Sequence, residues 1–153
     1  MIKMHQVAES LGQGDHKPVL SVEDYADMEE LAYEAAIIPE LWPVALARLG
    51  DISDSVGGGI VCLNERGTHI VCAPRLEEAR LQILEGGYMT RSGRAAGVIE
   101  HGLVGAPRFL NEYDFYGSLD GAEQDPIVVE VFRKQGMGWA AGWVNQTPHG
   151  DMI

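Results

Sequence analysis

Apolar positions along the chain change period several times, and each change predicts an element. From Tyr25 they recur at helical spacing, through Met28, Ala32 and Ala35, with Leu31 on the flank. Ser21 stands ahead of this run and Asp24 follows three residues later, a short capping box that starts the helix. Pro39 stops it, because proline cannot donate the helical bond and restricts the residue before it. A second helix is predicted from Glu40 to Leu49, with Trp42, Ala45, Leu46 and Leu49 as its apolar stripe. Pro43 fits there only in the first turn, where its missing N–H costs nothing. Two helices joined by a tight proline turn make one covering layer.

The period then falls toward two. "VGGGIVCLNERGTHIVCAP", 56 to 74, reads as a β-hairpin whose two β-rich runs flank "NERG". Gly67 suits the left-handed position that closes a three- or four-residue turn. A three-residue loop sets Leu63 opposite His69, Ile60 opposite Cys72 and Cys62 opposite Ile70. Pro74 begins a third helix over 75 to 85, with Leu76, Ala79, Ile83 and Leu84 inward and Gly86-Gly87 as its stop. Residues 88 to 106 scatter Gly93, Gly97, Gly102 and Gly105 among short apolar pieces. They read as a long, adaptable cover over one side of the sheet. "RFLNEYDF", 108 to 115, holds a short strand or turn.

Asp125 and Pro126 open a segment running through about Lys134, with Ile127, Val131 and Val128 inward. Its "VVEV" is β-branched and would also suit a strand. The Asp-Pro start, and Arg133-Lys134 at the negative end of a helix dipole, favour the helix. "MGWAAGWVNQ" predicts a strand with unequal faces. Met137, Trp139, Ala141 and Trp143 make a bulky one, and Gly138, Ala140, Gly142 and Val144 a nearly bare one. "PHG" at 148 to 150 is a turn and "DMI" begins another strand. Either that strand pairs at an edge or the chain is a fragment of something longer. Residues 1 to 20, with Gly12, Gly14 and Pro18 and little periodicity, read as a flexible arm. The expected fold class is therefore α/β of the α+β kind, a central antiparallel sheet with helices packed on it.

Length and composition narrow the function. A chain of 153 residues fits one domain with a real core, and an apolar fraction of 46% is too high for disorder. No apolar run approaches the roughly 18 residues that span a bilayer, and the N-terminus lacks the apolar centre of a signal peptide. The protein reads as cytoplasmic, with no membrane partner. Eleven basic and 23 acidic residues give a net charge of −12, which repels a phosphate backbone and argues against nucleic-acid binding by this chain.

Catalytic signatures are sparse. There is no G-x-S-x-G. Cys62 and Cys72 form no C-x-x-C and no disulfide framework. They share a face of the expected hairpin without lying opposite each other, so two free, partly buried thiols are expected. His69 points away from both in that register. The five histidines make no ligand spacing and "EDYADMEE", 23 to 30, has no EF-hand order, so neither metal nor cofactor is expected. The "VGGG" glycines precede a strand, the reverse of a dinucleotide fingerprint, and read as a turn with close backbone approach. Glu100 and His101 are adjacent and could act as acid or base, but nothing nearby supports that role. The tryptophans of 137 to 144 fit two readings, core packing or stacking on a flat ligand, and residue type alone favours the core. Trp42 carries the same ambiguity.

Two stretches carry a resemblance. "YEAAIIPELWPVALARLGD", 33 to 51, and "FRKQGMGWAAGWV", 132 to 144, resemble the N-terminal domain of bacterial LuxR-type transcriptional regulators, in the branch with a GAF- or PAS-like sensor domain. The matching positions are Tyr33, Glu34, Ala35, Ala36, Pro39, Leu41, Trp42 and Pro43, then Arg133, Gly136, Gly138, Trp139, Ala140 and Gly142. Trp143 departs, since that position is more often small or β-branched. The 85 to 106 region is also richer in glycine than its counterparts.

The resemblance spans roughly residues 22 to 153. It implies a regulatory GAF/PAS-like domain over 21 to 153, truncated at its C-terminal end, acting as a dimer on a helix-turn-helix domain not present in this chain. It also favours the fragment reading of the last strand. A small apolar or aromatic ligand would enter between the sheet and the 85 to 106 cover and shift the geometry of the assembly. Strand parity makes Ile60, Cys62, Ile70, Cys72, Tyr88, Met89, Trp139 and Trp143 the candidate wall. The rival readings are a ligand-free dimerisation module of the same fold and a small enzyme using Glu100, His101 or a cysteine. The non-enzymatic readings fit the residues better.

Overall fold

A computed structural model describes residues 21 to 153; the predicted N-terminal arm lies outside the described residues. Helix α1 (Val22–Ile37) begins as its sequence requires. Ser21 Oγ accepts from the Asp24 N–H at 3.0 Å, and the Asp24 carboxylate accepts from the Ser21 N–H at 3.1 Å. A short 3-10 turn, Pro39–Leu41, leads into α2 (Trp42–Ser53), which carries Pro43 in its first turn. Arg48 reaches back to Asp24 at 2.8 Å, so the late part of α2 lies beside the start of α1. Ala35, Ala45 and Leu46 are buried, whereas Tyr25 and Leu49, expected inside, are exposed.

Strands β1 (Gly59–Asn64) and β2 (Gly67–Cys72) form the expected hairpin, but its register is one residue tighter. Asn64 pairs with Gly67 across a two-residue loop, and Asn64 Oδ1 accepts from the Arg66 N–H at 2.9 Å. Gly67 takes φ +125°, so the unusual conformation falls on the residue with no Cβ. The slip reverses parity. Ile60 faces Val71, Cys62 faces His69, and Cys62 no longer shares a face with Ile70 and Cys72. The preceding glycines make the close approach read from the sequence. Gly58 donates to the Leu46 carbonyl at 3.1 Å, and a Cβ on Gly50 would stand 2.7 Å from Gly57 Cα.

After a 3-10 turn at Pro74–Leu76 come α3 (Glu77–Glu85), α4 (Tyr88–Arg91) and α5 (Arg94–Glu100). The glycine-rich cover is thus two short helices, and one of its glycines is a tight contact. A Cβ on Gly97 would collide with the Phe115 carbonyl oxygen. Strand β3 (Leu110–Asn111), α6 (Glu112–Tyr116) and α7 (Leu119–Ala122) follow. The Asp-Pro segment is helical, as a π-helix at Ile127–Phe132 continued by a 3-10 turn at Arg133–Gln135. Its Ile127, Val128 and Val131 are buried as predicted.

The long strand expected over "MGWAAGWVNQ" reduces to β4 (Ala141–Gly142), paired antiparallel with β3. Met152 bridges Leu63 on one side and Gln146 on the other, so the last residues stitch the two small antiparallel sheets together. The result is a mixed α/β fold with two apolar clusters. One gathers Ala79, Ile83, Tyr88, Ile127 and Val131; the other gathers Val98, Leu110 and Phe115. Among the described residues no helix is long and apolar enough to cross a membrane.

Candidate functional site

The tryptophans that the sequence suggested for core or pocket wall face outward. Trp139 is 70% exposed and Trp143 53% exposed. On the bare side of the same segment Ala140, Gly142 and Val144 are half-buried while Gly138 stays exposed, and a Cβ on Gly142 would touch the Phe115 ring at 3.8 Å. The small residues are needed where α6 approaches, and parity then sends the indoles out. Trp143 is anchored by its Nε1–H, which donates to the Ala106 carbonyl at 2.9 Å. Phe109 is also exposed, and continuing the β3–β4 register by one residue sets it opposite Trp143. Phe109 and Trp143 therefore form an exposed aromatic pair on one face of β3–β4.

The other wall candidates divide. Ile70, Tyr88 and Met89 meet in the first apolar cluster, with Tyr88 Oη donating to Glu130 at 2.7 Å. Cys72 is buried beside Glu77, Sγ to Oε2 3.8 Å, and burial pushes its thiol pKa up. Ile60 and Cys62 occupy the opposite face of the hairpin. The eight residues therefore do not line one cavity. Cys62 and His69 are cross-strand neighbours, correcting the expectation that the ring points away, but His69 is exposed. Glu100 and His101 sit at the exposed end of α5, where a His101 ring nitrogen lies 3.0 Å from the Asp114 carbonyl.

A polar cluster that the sequence reading missed lies beneath the cover. Glu112 opens α6 and is 1% exposed, the most buried charged side chain among the described residues. Arg94, at the start of α5, pairs with its Oε1, and the Ala140 N–H donates to the same oxygen at 3.3 Å. The guanidinium lies over the Phe115 and Phe132 rings, 5.4 and 5.3 Å from their centroids, and its Nε–H donates to Tyr116 Oη at 3.2 Å. Glu112 Oε2 is buried with no hydrogen-bond partner.

A second buried carboxylate, Asp125, holds the same cover. It accepts from Ser92 Oγ at 2.9 Å and the Gly93 N–H at 2.8 Å, and its other oxygen caps the π-helix at the Ile127 N–H, 2.8 Å. Burial, reinforced by the neighbouring Asp125 carboxylate, pushes the Tyr116 hydroxyl up to about 12, so it stays a neutral phenol. The arrangement ties the α4–α5 junction to α6 and to the π-helix through charges withdrawn from water. No group of three or more metal-ligating side chains is gathered among the described residues.

The signal that could have found this cluster was an acid at each of two helix starts, Glu112 and Asp125. Its chemistry depends on α5 crossing both. No known protein family, curated protein or solved structure matches this chain.

Proposed function

We propose that this chain is the regulatory, ligand-responsive domain of a bacterial transcriptional regulator of the LuxR type. Its fold would be GAF- or PAS-like, and it would act as a homodimer on a helix-turn-helix domain outside this chain. The observation that carries the reading is the buried carboxylate pair beneath the cover. Glu112 and Asp125 grip consecutive residues of the cover, Ser92 through Arg94, and one Glu112 oxygen is left unsatisfied.

An unsatisfied buried acceptor costs about 1–3 kcal/mol, and a donor supplied by a small molecule would recover that energy. A donor at Glu112 Oε2 draws charge from the oxygen that Arg94 and Ala140 share, Oε1, and so changes how the cover and the 137 to 143 segment are held. A device of this kind shifts a conformational equilibrium and does no covalent chemistry. The resemblance to the LuxR-type segments supplies the regulatory context. Trp139 and Trp143 then belong to an outer surface, and the ligand lies on the side of Arg94 and Tyr116.

The test is native mass spectrometry of the freshly purified chain against its denatured mass, with a thermal-shift screen of small metabolites. The expected result is an adduct released on denaturation, or a compound that raises the melting temperature. In either case the effect is lost in Glu112→Gln. No adduct and no stabilising compound would overturn the ligand reading. The exposed aromatic face of β3–β4 then favours the second reading, an interaction module that works by dimerising.

A further inference from the structure

Helix α1 carries two apolar stripes, and the fold uses one. Met28, Leu31, Ala32 and Ala35 turn toward α2, with Ala35 fully buried. On the far side of the same helix, Val22, Ala26, Tyr33 and Ile37 form a second stripe at helical spacing. Val22, Tyr33 and Ile37 each expose two-thirds or more of their surface. An amphipathic helix needs only the first stripe to join a domain. Beside the second runs an acidic ridge, Glu23, Asp27, Glu30 and Glu34, at intervals of four, three and four residues and exposed throughout. Glu29, Glu30, Tyr33, Glu34, Ala26 and Ile37 together line a shallow recess.

We propose that this outer face of α1 is a docking surface for a basic amphipathic helix of a protein partner. The apolar stripe supplies the seam, and the partner's lysines or arginines would meet the ridge at the same spacing. Charge decides the occupant. Residues 22 to 37 hold six acids and no Lys, Arg or His. A second copy would set six acids against another six, with no counter-charge from either helix, whereas a basic helix neutralises the ridge as its apolar face is buried. Among the described residues, the cation paired with α1, Arg48, is committed to Asp24 at the inner edge, and none is paired with the ridge.

The probe is a synthetic peptide of 16 residues, the length of α1, with a leucine seam and lysine flanks. A sister peptide carries glutamate in place of lysine. Binding to the full chain is followed by fluorescence anisotropy at low and high salt. The lysine peptide is expected to bind at one per chain, to weaken with salt, and to lose about tenfold or more in affinity on combining Tyr33→Ser with Ile37→Ser. Circular dichroism and the melting curve of that variant check that the domain stays folded. These positions are exposed, and Met28, Leu31 and Ala35 still hold the helix down.

Equal binding of the lysine peptide to the double variant would overturn the proposal, since charge alone would then explain it. So would equal binding of the glutamate peptide. A chain that is dimeric in solution, and becomes monomeric in the double variant, would assign the face to a second copy instead. None of these outcomes depends on a ligand at Glu112.

Discussion

Replacing Arg94 by alanine tests the buried centre most directly. The substitution leaves the Glu112 carboxylate, 1% exposed, with only the Ala140 N–H at 3.3 Å. Breaking a buried pair by removing one partner costs about 3–5 kcal/mol, because the remaining charge is neither solvated nor paired. Arg94 also loses two ring contacts, each about 0.5–1 kcal/mol and overlapping with the first term. The expected loss is about 4 kcal/mol, a large share of the roughly 5–15 kcal/mol that holds a domain together. Urea unfolding followed by tryptophan fluorescence measures it.

The sharper result is a sign. Glu112→Gln should destabilise the native chain, since it weakens a formed pair. The same change in the Arg94→Ala background should stabilise, since it removes an orphaned charge. A double-mutant cycle reads both. An Arg94→Ala cost below about 1 kcal/mol, or the same sign for Glu112→Gln in both backgrounds, would refute the reasoning.

Two further outcomes follow from the packing and the electrostatics. Gly97→Ala normally favours a helix by about 1 kcal/mol, yet here its Cβ would meet the Phe115 carbonyl, so the melting temperature should fall, by an amount matching about 1–3 kcal/mol. Gly138→Ala, with nothing within 4 Å, is the control and should change little. The Arg108 guanidinium and the Asn111 N–H hold Asp114 down from 3.8 to about 2. A depressed carboxylate contributes stability that is present above its unfolded pKa and lost as pH falls from about 4 through about 2. Stability measured against pH should slope across that window in the native chain and flatten there in Asp114→Asn. An unchanged slope would show that Arg108 and Asp114 are not coupled in solution.

Local chemistry in the sequence carried far. Ser21 and Asp24 cap α1, Pro43 sits in the first turn of α2, and Asp125-Pro126 opens a helix that buries Ile127, Val128 and Val131, because each rests on bonds within a few residues. The glycines at 57 and 58 were legible as close approach from residue type, although the elements they approach, at Leu46, Gly50 and Ala73, were not. The hairpin was visible, but its register turned on whether the loop holds two residues or three, a choice made by Asn64 and Gly67 together. That one residue decided which faces Cys62 and Cys72 occupy.

Tertiary structure alone decided the rest. The alternation around Trp139 and Trp143 was readable, but which side faces in depends on where α6 packs, and Phe115 takes the bare side. α1 reads as a single inward stripe until the position of α2 shows that Val22, Tyr33 and Ile37 are left outside. Arg94, Glu112 and Asp125 are ordinary charges along the chain, separated by 18 and 13 residues in sequence. Their meaning comes from burial, a property of the packed molecule, which turns an exposed charge of little energetic consequence into a pair that the fold cannot lose half of.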